Sequence, residues 1–140
     1  MNKTTIRVFL ILLIVIVIVV AVNPLTSLRR SNETIRESVL EVTPVGTSME
    51  DVTRTIKGKI GWRLQAVHYD RGYQVIGGRP SFYHPEYSVG NRSAVVGTKS
   101  MRAFIGTYYS PWHTTVEVYW GFDEDGRLID IAVTKYMDAF

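Results

Sequence analysis

Three histidines and their neighbouring carboxylates are the first residues of this chain whose types could do chemistry. They are His68, His84 and His113, with Asp70 and Glu86 each two positions after one of them. Neutral imidazole beside carboxylate is a ligand set for zinc and for hydrolysis on zinc. The set to be assembled in space would be His84, Glu86 and His113. The spacing matches no ligand motif such as H-E-x-x-H, and a strand puts His68 and Asp70 on one face by geometry alone. Histidines at the surface or core edge are the plainer reading.

Other short patterns reduce to turns. Asp123, Asp125 and Gly126 echo a calcium loop, but a strand resumes at Leu128 and Ile129, where further oxygen ligands would be needed. Ser110-Pro111-Trp112-His113 brings a serine near a histidine without the G-x-S-x-G elbow that would expose a nucleophile. Gly77-Gly78-Arg79 lacks both the glycine spacing and the Lys-Ser/Thr end of a phosphate loop. The remaining signal is aromatic and basic. Arg79, Phe82, Tyr83, Tyr87 and Arg92 crowd one stretch, and Trp112 marks a turn further on. Tyr, Trp and Arg bury large areas at low entropic cost, so these six residues are the candidate interaction surface.

Composition narrows the classes. Removing Lys3 and Arg7 from the 16 basic residues leaves 14 against 13 acidic ones, a balance unlike a nucleic-acid footprint. Cysteine is absent, so a disulfide scaffold, a thiolate metal site and a cysteine nucleophile are excluded. No cofactor is implied.

The elements that must position these residues begin with an apolar run. Val8 to Val22 holds no polar side chain, and the uncharged stretch reaches Leu28 before Arg29. Its 21 residues would make a helix of about 32 Å, matching a bilayer core of about 30 Å. The expectation is a transmembrane signal-anchor over 8–28, with 1–7 in the cytoplasm and the C-terminal domain outside it. The alternative is a secreted protein cleaved near Ala21. Pro24 is expected to weaken the last turn of that helix.

Residues 29–46 read as a connector with a short helix, its apolar stripe free to serve as a stalk or to pack on the domain. Residues 47–140 read as one α+β domain. Thr47-Ser48-Met49-Glu50 has the form of a capping box, Met49, Val52 and Ile56 form one face, and Gly58 is placed as a left-handed cap. Strands are expected from Trp62 to Tyr69, Tyr73 to Ile76, Ser100 to Tyr109, Thr114 to Phe122 and Arg127 to Met137, with Gly77 to Thr98 a long loop. The fold class expected is α+β: a transmembrane helix, then one or two short helices packed on an antiparallel β-meander.

Two stretches resemble the small SmpA/OmlA (BamE-like) envelope domains. One is the helix start Gly46-Thr47-Ser48-Met49-Glu50-Asp51-Val52. The other is the strand end Phe122-Asp123-Glu124-Asp125-Gly126. The chain departs from them in lacking a lipid-bearing cysteine and in its long loop. The resemblance implies a non-catalytic envelope scaffold. The functional expectation is accordingly a membrane-anchored, extracytoplasmic interaction or scaffolding module, its partner another envelope protein. The alternative is a small ligand- or metal-binding or hydrolytic domain at the membrane surface.

Overall fold

The computed structural model describes residues 2–85, 94–109 and 111–138. Three helices come first: α1 (Lys3–Ser27), α2 (Asn32–Val42) and α3 (Met49–Gly58). Six strands follow: β1 (Arg63–His68), β2 (Tyr73–Ile76), β3 (Arg79–Phe82), β4 (Lys99–Tyr109), β5 (His113–Phe122) and β6 (Leu128–Asp138). The fold is α+β, with an antiparallel four-stranded sheet in the order β1-β4-β5-β6 and a separate β2–β3 hairpin.

The transmembrane expectation is corrected. Among the described residues no helix is long and apolar enough to cross a membrane. The unbroken apolar run is 15 residues, Val8 to Val22, or about 22 Å of helix against about 30 Å of hydrocarbon. Beyond it α1 continues through Asn23 and Pro24 to Ser27 rather than weakening there. What α1 does show is a surface without a polar face: Val8 to Ile18 are eleven successive large apolar residues, each 49–64% exposed.

Helices α2 and α3 cover one face of the sheet. Ile35 and Val39 of α2 and Val52 and Ile56 of α3 are buried against Met101, Ala103, Ile105, Val116, Val118, Trp120, Phe122, Leu128, Ile131 and Val133. The residues 29–46 therefore supply a core helix, because the Ile35/Val39 stripe meets β6 instead of standing free. Its polar side chains also cap the outer edge of that strand. Asn32 Nδ2 donates to the Val133 carbonyl (3.2 Å) and Arg36 Nε to that of Ile131 (3.2 Å), while the Arg36 guanidinium pairs with Asp130. An edge strand covered this way cannot template another chain.

Several local expectations shift by a residue. The α3 N-cap is Ser48, whose Oγ accepts from the Asp51 amide at 3.1 Å; Thr47 instead donates to the Pro44 carbonyl. Gly58 closes the helix as its last residue, and the positive φ falls at Gly61. A bulge between Leu64 and Ala66 turns Leu64 and Val67 toward the core and leaves Ala66 and His68 on the other face. A second irregularity where β5 meets β6 buries Leu128 and exposes Ile129. Within the expected long loop, Gly77 and Gly78 (φ 57° and 77°) make a two-residue hairpin turn joining β2 to β3. Both positions need positive φ in the hairpin turn that suits strand twist, which glycine supplies at no steric cost.

Candidate functional site

The face of the sheet away from the helices carries the polar and aromatic residues. Across it one row runs Ala66, Arg102, Tyr119, Ala132, in register on β1, β4, β5 and β6. The two alanines leave room on either side of the arginine–tyrosine pair. The next row sets Phe104 opposite Glu117 and Glu117 opposite Thr134.

The β2–β3 hairpin folds over one end of this face. Tyr73 is buried, its amide donating to the Val96 carbonyl (3.1 Å) and its ring lying 6.0 Å from that of Tyr119. Close approach is possible because β5 has glycine at 121, where a Cβ would stand 2.6 Å from Val96 Cγ1 and 2.9 Å from Tyr73 Cε1. The hairpin thereby brings Phe82 onto the sheet. Its ring centroid is 5.2 Å from Tyr119 and 4.3 Å, edge-on, from His68.

Arg102 lies beside this ring pair, its guanidinium carbon 5.6 Å from the Phe82 centroid and 5.9 Å from that of Tyr119. Both distances are within reach of a cation–π attraction. Its one hydrogen bond among the described residues is long, from Nη1 to the Tyr119 hydroxyl at 3.5 Å. The Glu117 carboxylate stands 4.0 Å from Nε, an ion pair rather than a hydrogen bond, and Nε is buried with no hydrogen-bond partner among the described residues. A guanidinium has five N–H donors, so most of this one's capacity is unspent. A shallow cleft of about 370 Å³ opens beside it, lined by Gln74, Ser81, Phe82, His84, Arg102 and Tyr119.

The surroundings titrate accordingly. Burial, reinforced by a hydrogen bond with Tyr136, pushes the Tyr119 phenol up to about 12, although the nearby Arg102 works against this. Burial also lowers the His68 pKa, and the Arg71 charge adds to that effect. Arg71 itself pairs with Asp70 (2.9 Å) and contacts His84 Nδ1 (3.1 Å). The cleft thus offers a guanidinium with Glu117 4.0 Å from its Nε, aromatic walls and the hydrogen-bonding side chains of Gln74 and Ser81. A guanidinium beside rings can contact both a carboxylate and an apolar group.

Of the residues singled out in the sequence, Phe82 is at the centre of this site and His84 on its rim. Arg79 is exposed on β3, and Tyr83, half-buried, donates its amide to the Gly72 carbonyl at 3.0 Å. Glu86, Tyr87 and Arg92 lie outside the described residues, as does Ser110. Trp112 is exposed at the β4–β5 turn. That turn is at the opposite end of β5 from the cleft: six residues separate His113 from Tyr119, about 20 Å of strand. The aromatic set is therefore two surfaces, and the same separation keeps His113 away from His84. No group of three or more metal-ligating residues occurs among the described residues. Arg102 and Tyr119, which the motif reading did not select, are its main members. Their signal was alternation: with Val118 and Trp120 both facing the core, Tyr119 between them had to face away from it. A second notch of about 260 Å³ lies where Leu28, Ile60, Trp62 and Ile105 meet α2. It is the margin of the core, and its one cationic lining residue is Lys59.

No protein-family model, curated protein or solved structure matches this chain.

Proposed function

We propose that the protein is a membrane-held interaction module that binds an acidic, partly apolar segment of a protein partner in the Phe82–Arg102–Tyr119 cleft. The observation that carries this reading is Arg102: a guanidinium packed beside two rings, with a single long hydrogen bond among the described residues, lining a cleft large enough to admit a side chain. A partner's carboxylate would have to reach the guanidinium through its Nη groups, since Nε, where Glu117 stands at 4.0 Å, is buried. The membrane part is supported by α1. Eleven half-exposed apolar side chains in water would forgo about 1 kcal/mol each, so an apolar surrounding such as lipid is the favourable one. The scaffold role implied by the SmpA/OmlA resemblance agrees with a binding module.

A photo-cross-linking residue in place of Ser81, on the cleft rim, tests the partner site in cells expressing the full chain. The expected result is a discrete cross-linked protein that disappears when Arg102→Gln is added. Cross-links that persist unchanged in Arg102→Gln would show that the cleft is not the binding site.

A further inference from the structure

A second surface forms where the helix α1 ends. Leu28 packs its side chain onto β4 at Gly106, a position where any Cβ would lie 2.5 Å from Leu28 Cδ1. Arg29 Nη2 donates to the Tyr109 carbonyl at 2.7 Å, and Lys135 Nζ donates to the Arg30 carbonyl. The ring of Tyr108 has the Arg29 guanidinium 6.0 Å from its centroid on one contact and the Lys135 ammonium at 5.4 Å on another. These contacts fix the β4–β5 turn and the end of β6 beside the point where the apolar helix stops.

At that tip the apolar residues are bare. Tyr109 is 67% exposed, Trp112 57% and Met137 68%. Arg29 and Lys135 stand over the ring of Tyr108, the residue before Tyr109 in β4, and Arg30 follows Arg29 in the chain, exposed. Exposed Trp and Tyr near Arg and Lys, next to the end of an apolar helix, is the composition of a lipid interface. Amphipathic rings settle at headgroup depth, and cations are drawn to anionic headgroups.

We propose that this tip is a lipid-contacting surface: Tyr109, Trp112 and Met137 enter the headgroup region while Arg29, Arg30 and Lys135 meet anionic headgroups. It rests on the reading that α1 lies in lipid, since that places the tip at the membrane surface. Its consequence is to fix the domain against the bilayer through two connected elements instead of one flexible tether. The Phe82–Arg102–Tyr119 cleft, at the other end of the sheet, would then point away from the lipid toward a partner.

The test uses the full chain in vesicles of phosphatidylcholine with phosphatidylglycerol, and in vesicles of phosphatidylcholine alone. Trp112 emission is obtained as the difference between the native protein and Trp112→Phe, which removes the background of Trp62 and Trp120. The expected result is a blue-shifted Trp112 signal, quenched by lipids brominated near the headgroup end of the acyl chains. The quenching should weaken in Arg30→Gln/Lys135→Gln with the anionic vesicles. If the protein floats with vesicles but Trp112 is unshifted and unquenched, the tip does not touch lipid although α1 does. If the protein does not float with either vesicle, both this inference and the membrane-held reading fall. Equal quenching of native and charge-neutralised proteins in both vesicles would overturn the role given to the cations.

Discussion

The Trp120 indole N–H donates to the Thr43 hydroxyl at 3.1 Å, and both side chains are fully buried. The Thr43 hydroxyl in turn donates to the Val39 carbonyl at 2.9 Å, at the end of α2. One hydroxyl thus satisfies a buried donor from the sheet and adds a second bond to a helix carbonyl that the Thr43 amide already meets at 2.9 Å. This link joins the largest core side chain to the element that follows α1, and so ties the position of the N-terminal segment to the sheet.

Thr43→Val keeps the shape and removes the hydroxyl. It leaves the Trp120 N–H buried and unpaired, which costs about 1–3 kcal/mol. Thr43→Ser should recover most of that loss, because it restores the acceptor and loses only a methyl group. Chemical denaturation of both variants checks this. Equal stability of native protein and Thr43→Val would mean that the indole finds another partner.

Gly121→Ala places a methyl group where Val96 and Tyr73 already stand within 3 Å. Overpacking of this kind costs about 1–3 kcal/mol. The strain falls on the β2–β3 hairpin, since the helix-covered core lies on the opposite face of β5. Amide chemical shifts should move in Tyr73–Phe82 and around Arg102 and stay put in α2 and α3. Shifts confined to the helices would contradict the layering described.

Stability should fall at both ends of the pH scale, for opposite reasons. The folded Tyr119 phenol has its pKa raised to about 12, against about 10 when unfolded. Its contribution is fully present below about pH 10 and is lost as pH rises through about 12, because the unfolded chain gives up that proton first. The His68 pKa is instead lowered in the fold. Below about pH 6.5 the unfolded chain gains a proton that the folded protein resists, so stability declines as pH drops through that value. Tyr119→Phe should flatten the alkaline limb and His68→Gln the acid limb of a stability–pH profile. An unchanged alkaline limb in Tyr119→Phe would assign it to Tyr73, whose pKa burial also raises.

Patterns repeating within a few residues were readable directly. The three long strands follow from alternation, such as Val116, Val118, Trp120 and Phe122, and the Asp123–Gly126 turn from its Asp-Gly step. In that turn Gly126 adopts φ 74° and donates its amide to the Asp123 carbonyl at 3.0 Å. The apolar character of Val8–Val22 and the acidic, capped start of α3 are equally local properties of the chain. Register is not local. The bulge between Leu64 and Ala66, which decides that His68 faces Phe82, exists only because β1 must fit β4. Likewise Gly77-Gly78 signals a turn or a break with the same letters, and the strand it returns is too short to show a period.

The amino-acid order by itself determined the short helices α2 and α3, the long antiparallel strands and the inward face of β5, because those depend on periods of two and 3.6 along one segment. Only the tertiary structure decided that Arg102 and Tyr119 meet Phe82, and that Trp112 belongs to a different surface near Arg29. Both outcomes depend on distances between segments tens of residues apart. Those are set by close packing at Gly121 and Gly106, not by any pattern within a segment.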